Sequence, residues 1–304
     1  MATSDAMSTV STEEVNPRTA DIDQLSTLEM LRRINEEDAL VPGAVARELE
    51  IVAAVVDCVV AALREGGRLI YVGSGTSGRL GMLDAAECPP TYGSPPWQIQ
   101  AVLAGGAEAM TRAVENAEDD GLAGERAMDA LQVGAHDVVL GIASSGRTPF
   151  VAGALAQARA RGAATAALVA NADGPVAAVA DWVIAPQTGP EVIAGSTRMK
   201  AGTAQKLVLN MISTAAMVQL GRTHGNLMVD MHPRNDKLRL RSRRIVMQAT
   251  GCDPQTAARV LDAAAGEIKT AIVMLLAGIS VADARGRLAR AHGVVRYALA
   301  EHGK

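Results

Sequence analysis

The chain has 304 residues, 49% of them apolar and only 2% aromatic, with a formal net charge of −4. That length suits one large domain plus a small one, with a core of Ala, Val, Leu, Ile and Met that favours helices packed on parallel strands. The weak negative charge, with no basic stripe interleaved with aromatics, argues against a nucleic-acid partner.

From the N-terminus, residues 1 to about 20 read as a disordered tail. Met1–Arg18 is polar and has no apolar stretch of the kind a signal peptide or anchor needs. Ser26-Thr27-Leu28-Glu29 is a capping-box pattern that opens a helix through about Leu40. Pro42-Gly43 breaks it, and a long helix follows over about Ala44–Glu65, ending at Gly66-Gly67. Strand-like runs come next at about 69–72, 99–104, 138–143, 165–170 and 182–185. Helical patterns lie between them at about 79–86, 108–117, 123–131 and 150–161. Strands about thirty residues apart with helices between predict right-handed parallel βαβ units, hence a three-layer α/β/α domain with a mainly parallel sheet. Ligands of such sheets bind beyond the carboxyl ends of the strands, at a topological switch point.

An apolar helix over about Met199–Gly221 is rich enough in Ala, Leu, Val, Ile and Met to be buried on several sides, in the core or at a subunit contact. After Asn235 the character changes. Lys237–Thr250 is a basic amphipathic helix, and three or four short helices follow, punctuated by glycines. The predicted division is therefore a tail over 1–20, an α/β domain over 21–235 and a small all-helical domain over 236–304. The run Thr270–Ile279 is too short to span a bilayer. Cys58, Cys88 and Cys252 lack C-x-x-C spacing and fit a reducing compartment. These features point to a cytoplasmic protein with no membrane partner.

Two turns organise the chemistry. Gly73-Ser74-Gly75-Thr76-Ser77-Gly78 and Gly141 to Thr148 (GIASSGRT) each follow a strand-like run and open into a helix. Backbone N–H groups, hydroxyls and a helix dipole then surround one small anion, most simply a phosphate. The first turn has the G-x-G-x-x-G spacing of dinucleotide sites, which also need an acid at the end of the next strand. That strand ends Leu103-Ala104-Gly105-Gly106 with no carboxylate before Glu108, so dinucleotide binding is disfavoured. In the second turn, Ser144, Ser145 and Thr148 flank Gly146; the bland alternative is a cluster that merely caps the next helix. Neither turn is a P-loop, and no G-x-S-x-G elbow is present.

His136, His224, His232, His292 and His302 show no metal-ligand spacing, so no metal and no cofactor are expected. His224 and His232 sit in the polar segment Arg222–Asn235 and are candidates to line a site. The acids best placed for chemistry are Glu87, in Asp84-Ala85-Ala86-Glu87-Cys88-Pro89-Pro90, and Glu118, among the acids at 115–120. A solvated helix end is the alternative for both, and composition cannot select one acid from the second group.

The run Ile70–Tyr92 (IYVGSGTSGRLGMLDAAECPPTY) resembles the signature of the N-acetylmuramic acid 6-phosphate etherase family, within the sugar isomerase superfamily. Gly141–Pro149 (GIASSGRTP), Gly195–Lys206 (GSTRMKAGTAQK), Gly225–Asp230 (GNLMVD), Asn235–Leu238 and Ala249–Cys252 are similar in the same way. The likeness runs from about Ser26 to the C-terminus, with small departures at Met231-His232-Pro233 and at Asp236, where the family has Glu. It implies cleavage of the D-lactyl ether of N-acetylmuramic acid 6-phosphate, giving N-acetylglucosamine 6-phosphate and D-lactate in cell-wall sugar recycling. It further implies phosphosugar contacts at Thr76, Ser77, Ser144, Ser145, Gly146 and Thr148, with Glu87 and Glu118 as the acid–base pair. Lys200 or backbone N–H groups are candidates to meet the developing enolate charge. A phosphosugar isomerase and a phosphosugar-sensing regulator are the rival readings.

One expectation concerns distance. Glu87 lies ten positions beyond Ser77, so a straight helix carries it roughly 15 Å away at about 1.5 Å per residue. Either the helix bends or ends near Gly81, or Glu87 enters the site of a second copy in a homodimer.

Overall fold

The computed structural model describes residues 11–231 and 236–300. The capping box at Ser26 is formed from both sides: the Ser26 hydroxyl accepts from the Glu29 N–H, and the Glu29 carboxylate accepts from the Ser26 N–H. It opens α1 (Thr27–Asp38). Pro42 does not only break that helix. It sits in the first turn of α2 (Val41–Ala46), where a missing N–H costs nothing, and the predicted long helix begins later as α3 (Leu49–Arg64).

The α/β run follows in order: β1 (Leu69–Gly73), α4 (Gly75–Tyr92), β2 (Ile99–Leu103), α5 (Gly121–Ala130), β3 (Val138–Ala143), α6 (Pro149–Ala160), β4 (Ala164–Val169), α7 (Pro175–Ala178), β5 (Trp182–Ile184) and α8 (Lys200–Gln219). The five strands lie within a residue or two of the predicted ones. The stretch 108–117 departs from expectation, forming only a short 3-10 turn over Gly106–Met110. Gly105 and Gly106, both at positive φ, start that turn, and Arg79 of α4 fastens it by donating to the Ala109 carbonyl at 2.9 Å and that of Arg112 at 3.1 Å.

All five strands are parallel, in the order β2-β1-β3-β4-β5. Alternate side chains build two cores. Ile70, Val72, Val139, Ala143, Ala167 and Val169 pack with Met128, Phe150, Val151 and Leu155 of α5 and α6. On the opposite face, α4 lies against Tyr71 and Ile142, so closely that a Cβ on Gly81 would meet Tyr71 at 3.0 Å. The Tyr71 hydroxyl, Asn210 and Ser213 all donate to the buried Asp84 carboxylate, at 2.8, 2.6 and 3.0 Å, which joins β1, α4 and α8. Burial pushes the Asp84 pKa up against those donors. This is the three-layer α/β arrangement.

Residues 11–20, predicted to be disordered, are packed. Asn16 donates to Glu37 at 2.9 Å and to the Pro190 carbonyl at 3.3 Å, and the Thr19 hydroxyl donates to the Val192 carbonyl at 2.8 Å. A few well-placed hydrogen-bonding side chains, rather than apolar residues, tie the segment down. Composition alone misses such an anchor.

The described residues after α8 form β6 (Thr223–His224) and β7 (Leu227–Met228), an antiparallel pair, then α9 (Asp236–Thr250), α10 (Pro254–Ala263), α11 (Ile268–Ala277), α12 (Val281–Arg290) and α13 (Val295–Ala300). Their core gathers Val229, Val246, Val260, Ala271, Ile272 and Val295. The chain divides into two compact units: the described residues through Ala86 with Trp97–Ser213, and Glu87–Pro96 with the described residues from Thr214 on.

Candidate active site

β1 lies between β2 and β3, so the chain leaves it in one direction for β2 and the other for β3. That makes the β1/β3 edge the switch point where a ligand crevice opens. Both predicted turns start there, since Gly73 at the end of β1 is opposite Ile142 of β3.

The first turn is set by backbone proximity. A Cβ on Gly73 would lie 2.7 Å from the Gly78 Cα, and one on Gly78 would lie 2.6 Å from the Gly73 carbonyl oxygen. Only glycines allow the strand and α4 to approach so closely, and the N-terminus of α4 is thereby held at the strand end. Ser77 is buried in the turn. Thr76 faces α8, its methyl 3.6 Å from where a Cβ of Gly202 would stand.

The second turn is tighter. Gly146 has φ +70°, its N–H donates to the Ala143 carbonyl at 3.0 Å, and a Cβ there would lie 2.6 Å from the Asn171 carbonyl oxygen. The Ser145 hydroxyl accepts from the Arg147 N–H at 3.2 Å. Thr148 is the N-cap residue of α6, yet its side chain makes no capping hydrogen bond. The capping alternative therefore does not account for that hydroxyl.

Glu118 links the first turn to the start of α6. Its side-chain Oε2 accepts from the Ser74 hydroxyl at 3.2 Å, while its main-chain carbonyl accepts from the Phe150 N–H at 3.0 Å. Its neighbour Asp120 is used otherwise, capping α5 through the Ala123 N–H at 2.8 Å. Of these clustered acids, Glu118 is the one that reaches a turn among the described residues. Its side chain is exposed to solvent at the strand edge.

Residues 50–159 match the glucokinase regulatory protein N-terminal SIS domain and residues 108–215 match the SIS domain. A phosphoheptose isomerase from Neisseria gonorrhoeae shares the fold, with a TM-score of 0.50 and 19% identity over 63% of this chain and 99% of that one. An N-acetylmuramic acid 6-phosphate etherase of Cutibacterium acnes is 53% identical over 96% of each chain. Relatives bearing that name from Brucella anthropi (53%, over 94% of each chain) and Geobacillus thermodenitrificans (51%, over 95% of this chain and 98% of that one) match as fully. The chain belongs to the N-acetylmuramic acid 6-phosphate etherase family.

Two of the residues expected to matter in this etherase-family chain behave differently from Glu118. Lys200, a candidate for meeting enolate charge, is fully buried. Its Nζ donates to Glu37 at 2.8 Å and to the Thr188 carbonyl at 2.8 Å, so its charge is already engaged within the frame. Glu87 is exposed and lies on α4, which continues unbroken from Gly75 to Tyr92 through Pro89 and Pro90. The helix thus does not end near Gly81.

His224 lies in the β6–β7 hairpin, while His232 and His302 lie outside the described residues. No group of three His, Cys, Asp or Glu side chains is placed to hold a metal among the described residues. No helix among them is long and apolar enough to cross a membrane. A cavity of about 330 Å³ also opens in the helical unit, lined in part by Asp230, Glu267, Lys269 and Arg285. Its charges already pair, Lys269 with Asp230 at 2.6 Å and Arg285 with Glu267 at 2.9 Å.

Gln205, which no sequence motif singles out, also reaches the second turn, its Nε2 donating to the Ser144 hydroxyl at 3.0 Å. A signal for it was present. Ala201, Ala204, Gln205, Val208, Leu209 and Ile212 fall on one helical face, and all are buried. Gln205 is the polar member of that face.

Proposed function

We propose that this protein is an N-acetylmuramic acid 6-phosphate etherase, cleaving the D-lactyl ether to give N-acetylglucosamine 6-phosphate and D-lactate. Family membership supports the substrate. The observation that carries the chemistry is Glu118, an exposed carboxylate tethered to the first hydroxyl-lined turn and, through its main chain, to the start of α6 that the second turn opens. The turns supply Thr76, Ser77, Ser144, Ser145, Gly146 and Thr148 to the phosphate. Two helix N-termini, those of α4 and α6, add favourable dipoles there.

An alkoxide leaves an unactivated ether poorly. Opening the sugar to its aldehyde makes the C2 proton acidic and turns the C3 lactyl oxygen into a β-leaving group. Glu118 removes the C2 proton, and Glu87 protonates the departing lactate oxygen as the C3–O bond breaks. Water then adds at C3 of the resulting enal, losing its proton to Glu87, and C2 is reprotonated by Glu118. Protons and charge balance over the cycle without a cofactor. Backbone N–H groups at the turns are the donors for the enolate, since Lys200 is engaged elsewhere.

Glu87 comes ten positions after Ser77 in the chain, roughly 15 Å for a straight helix at about 1.5 Å per residue. We take it to act in the site of a second copy, making the enzyme a homodimer with shared sites, in the cytoplasm. Release of D-lactate from N-acetylmuramic acid 6-phosphate tests the function: an isomerase yields none, and a regulator binds the sugar unchanged. Mixing subunits carrying Glu87→Ala with subunits carrying Glu118→Ala tests the sharing. Recovered activity in the hybrid is expected, and its absence counts against a shared site.

A further inference from the structure

Gln205 presents an acceptor with nothing to accept. The residue is 3% exposed, and while Nε2 donates to Ser144, Oε1 is buried without a hydrogen-bond partner among the described residues. Among the described residues with such an atom, Gln205 is the one bonded to a residue of the two turns. Buried polar atoms are almost always paired, and a carboxamide inside an otherwise apolar helix face is a costly choice unless both ends are used.

The two ends suit different parts of one ligand. Because the Ser144 oxygen accepts from Gln205, its own proton is left for donation to an anion. A phosphate dianion offers only acceptors, so it can take that proton but cannot satisfy Oε1. Within a phosphosugar, the donor for Oε1 comes from the sugar. Oε1 stands within about 5 Å of the Ser144 oxygen, by adding the separation of the two amide heteroatoms to the 3.0 Å hydrogen bond. In a 6-phosphosugar the nearest oxygen to the phosphate group, counted along the carbon chain, is O5. In the closed pyranose O5 is a ring ether and carries no proton. In the opened aldehyde it is a hydroxyl.

We propose that Gln205 is a substrate-binding residue that recognises the ring-opened sugar, its Oε1 accepting the hydrogen bond that O5 can donate only in the open-chain form. The inference rests on the phosphosugar reading above, and it gives the fold a means of favouring the form from which elimination proceeds. Its chemistry is that of hydrogen bonding alone.

Two probes separate the possibilities by calorimetry. N-acetylglucosaminitol 6-phosphate is open-chain and carries the O5 hydroxyl; methyl N-acetylglucosaminide 6-phosphate is locked as a ring. The native protein is expected to bind the open-chain probe the more tightly. Gln205→Met is expected to weaken the open-chain probe about tenfold, the effect of one hydrogen bond, and the locked probe by less than about threefold. Equal losses on both probes, or none on either, overturn the proposal. If Gln205→Met does not fold, the native preference carries the test alone, and equal or tighter binding of the locked probe overturns it. A native protein that binds neither probe and releases no lactate instead overturns the phosphosugar reading itself.

Discussion

The carboxylates around Lys200 and the carboxylate of Glu118 stand at opposite extremes of solvation. Glu37 and Glu191 are almost wholly buried. Glu37 accepts from Asn16, from Lys200 and from both Nε and Nη2 of Arg18. Glu191 accepts from the Lys200 and Ala201 N–H groups at 2.9 Å each, at the start of α8. Glu118 is exposed and, among the described residues, has one side-chain partner, Ser74. A buried acid held on both oxygens by donors of the frame fixes that frame and has no freedom to take a proton from a ligand. An exposed acid with one weak tether can reach and release one.

The largest expected effect comes from the exposed member. Glu118→Gln keeps an acceptor for Ser74 but cannot abstract a proton. D-lactate release should fall about 100- to 10,000-fold, the range for loss of a general base. Unfolding in urea should shift by less than about 0.5 kcal/mol, as for an exposed substitution. Lactate release that survives Glu118→Gln would break the assignment of the base.

Lys200→Met should do the reverse. Removing one partner of a buried ion pair leaves charge uncompensated, here eased because Arg18 and Asn16 still hold Glu37. A loss of about 3 kcal/mol is expected, at the low end for such pairs. Turnover per folded molecule should stay within about threefold of the native value. A hundredfold drop in a folded variant would return Lys200 to the reaction.

The same contrast governs what is legible in the sequence. The five strands were legible because a parallel sheet covered on both faces needs uninterrupted apolar runs, and 138–143 is buried at every position. The turns were legible because Gly73, Gly78 and Gly146 mark backbone approaches that no side chain allows. Glu118 could not be told from Glu115, Asp119 or Asp120, because its distinction is a contact with Ser74, 44 positions away in the chain. Lys200 looked like a free cation for the same reason: its partner Glu37 lies 163 positions earlier. Residues 11–20 read as disordered since their anchors are polar side chains whose acceptors belong to α1 and to the loop at 190–195. Local pattern finds elements; long-range pairing decides which polar groups remain free.

The two buried acids themselves supply finer tests. In Glu37 the Arg18 hydrogen bonds outweigh burial and bring the pKa down from 4.5 to about 2. A depressed carboxylate contributes stability that is complete above the unfolded value and lost as pH falls through the folded one. The stability gap between native protein and Glu37→Gln, from urea unfolding at constant ionic strength, should therefore shrink as pH drops from about 5 toward 2.

Glu191 should respond with the opposite sign. Its partners are two neutral N–H groups rather than two cations, so burial dominates and its pKa is raised. A raised carboxylate contributes stability that is complete below the unfolded value of 4.5 and lost as pH rises through the folded one. The gap between native protein and Glu191→Gln should thus be widest near pH 4 and narrow as the pH climbs, in the same urea series. The carboxamide also turns a donor toward one of the two N–H groups, a penalty that does not vary with pH and leaves the slope unaffected. If both variants show slopes of one sign, the partner's charge is not what divides these two acids, and the frame around Lys200 would have to be read as a single titrating unit.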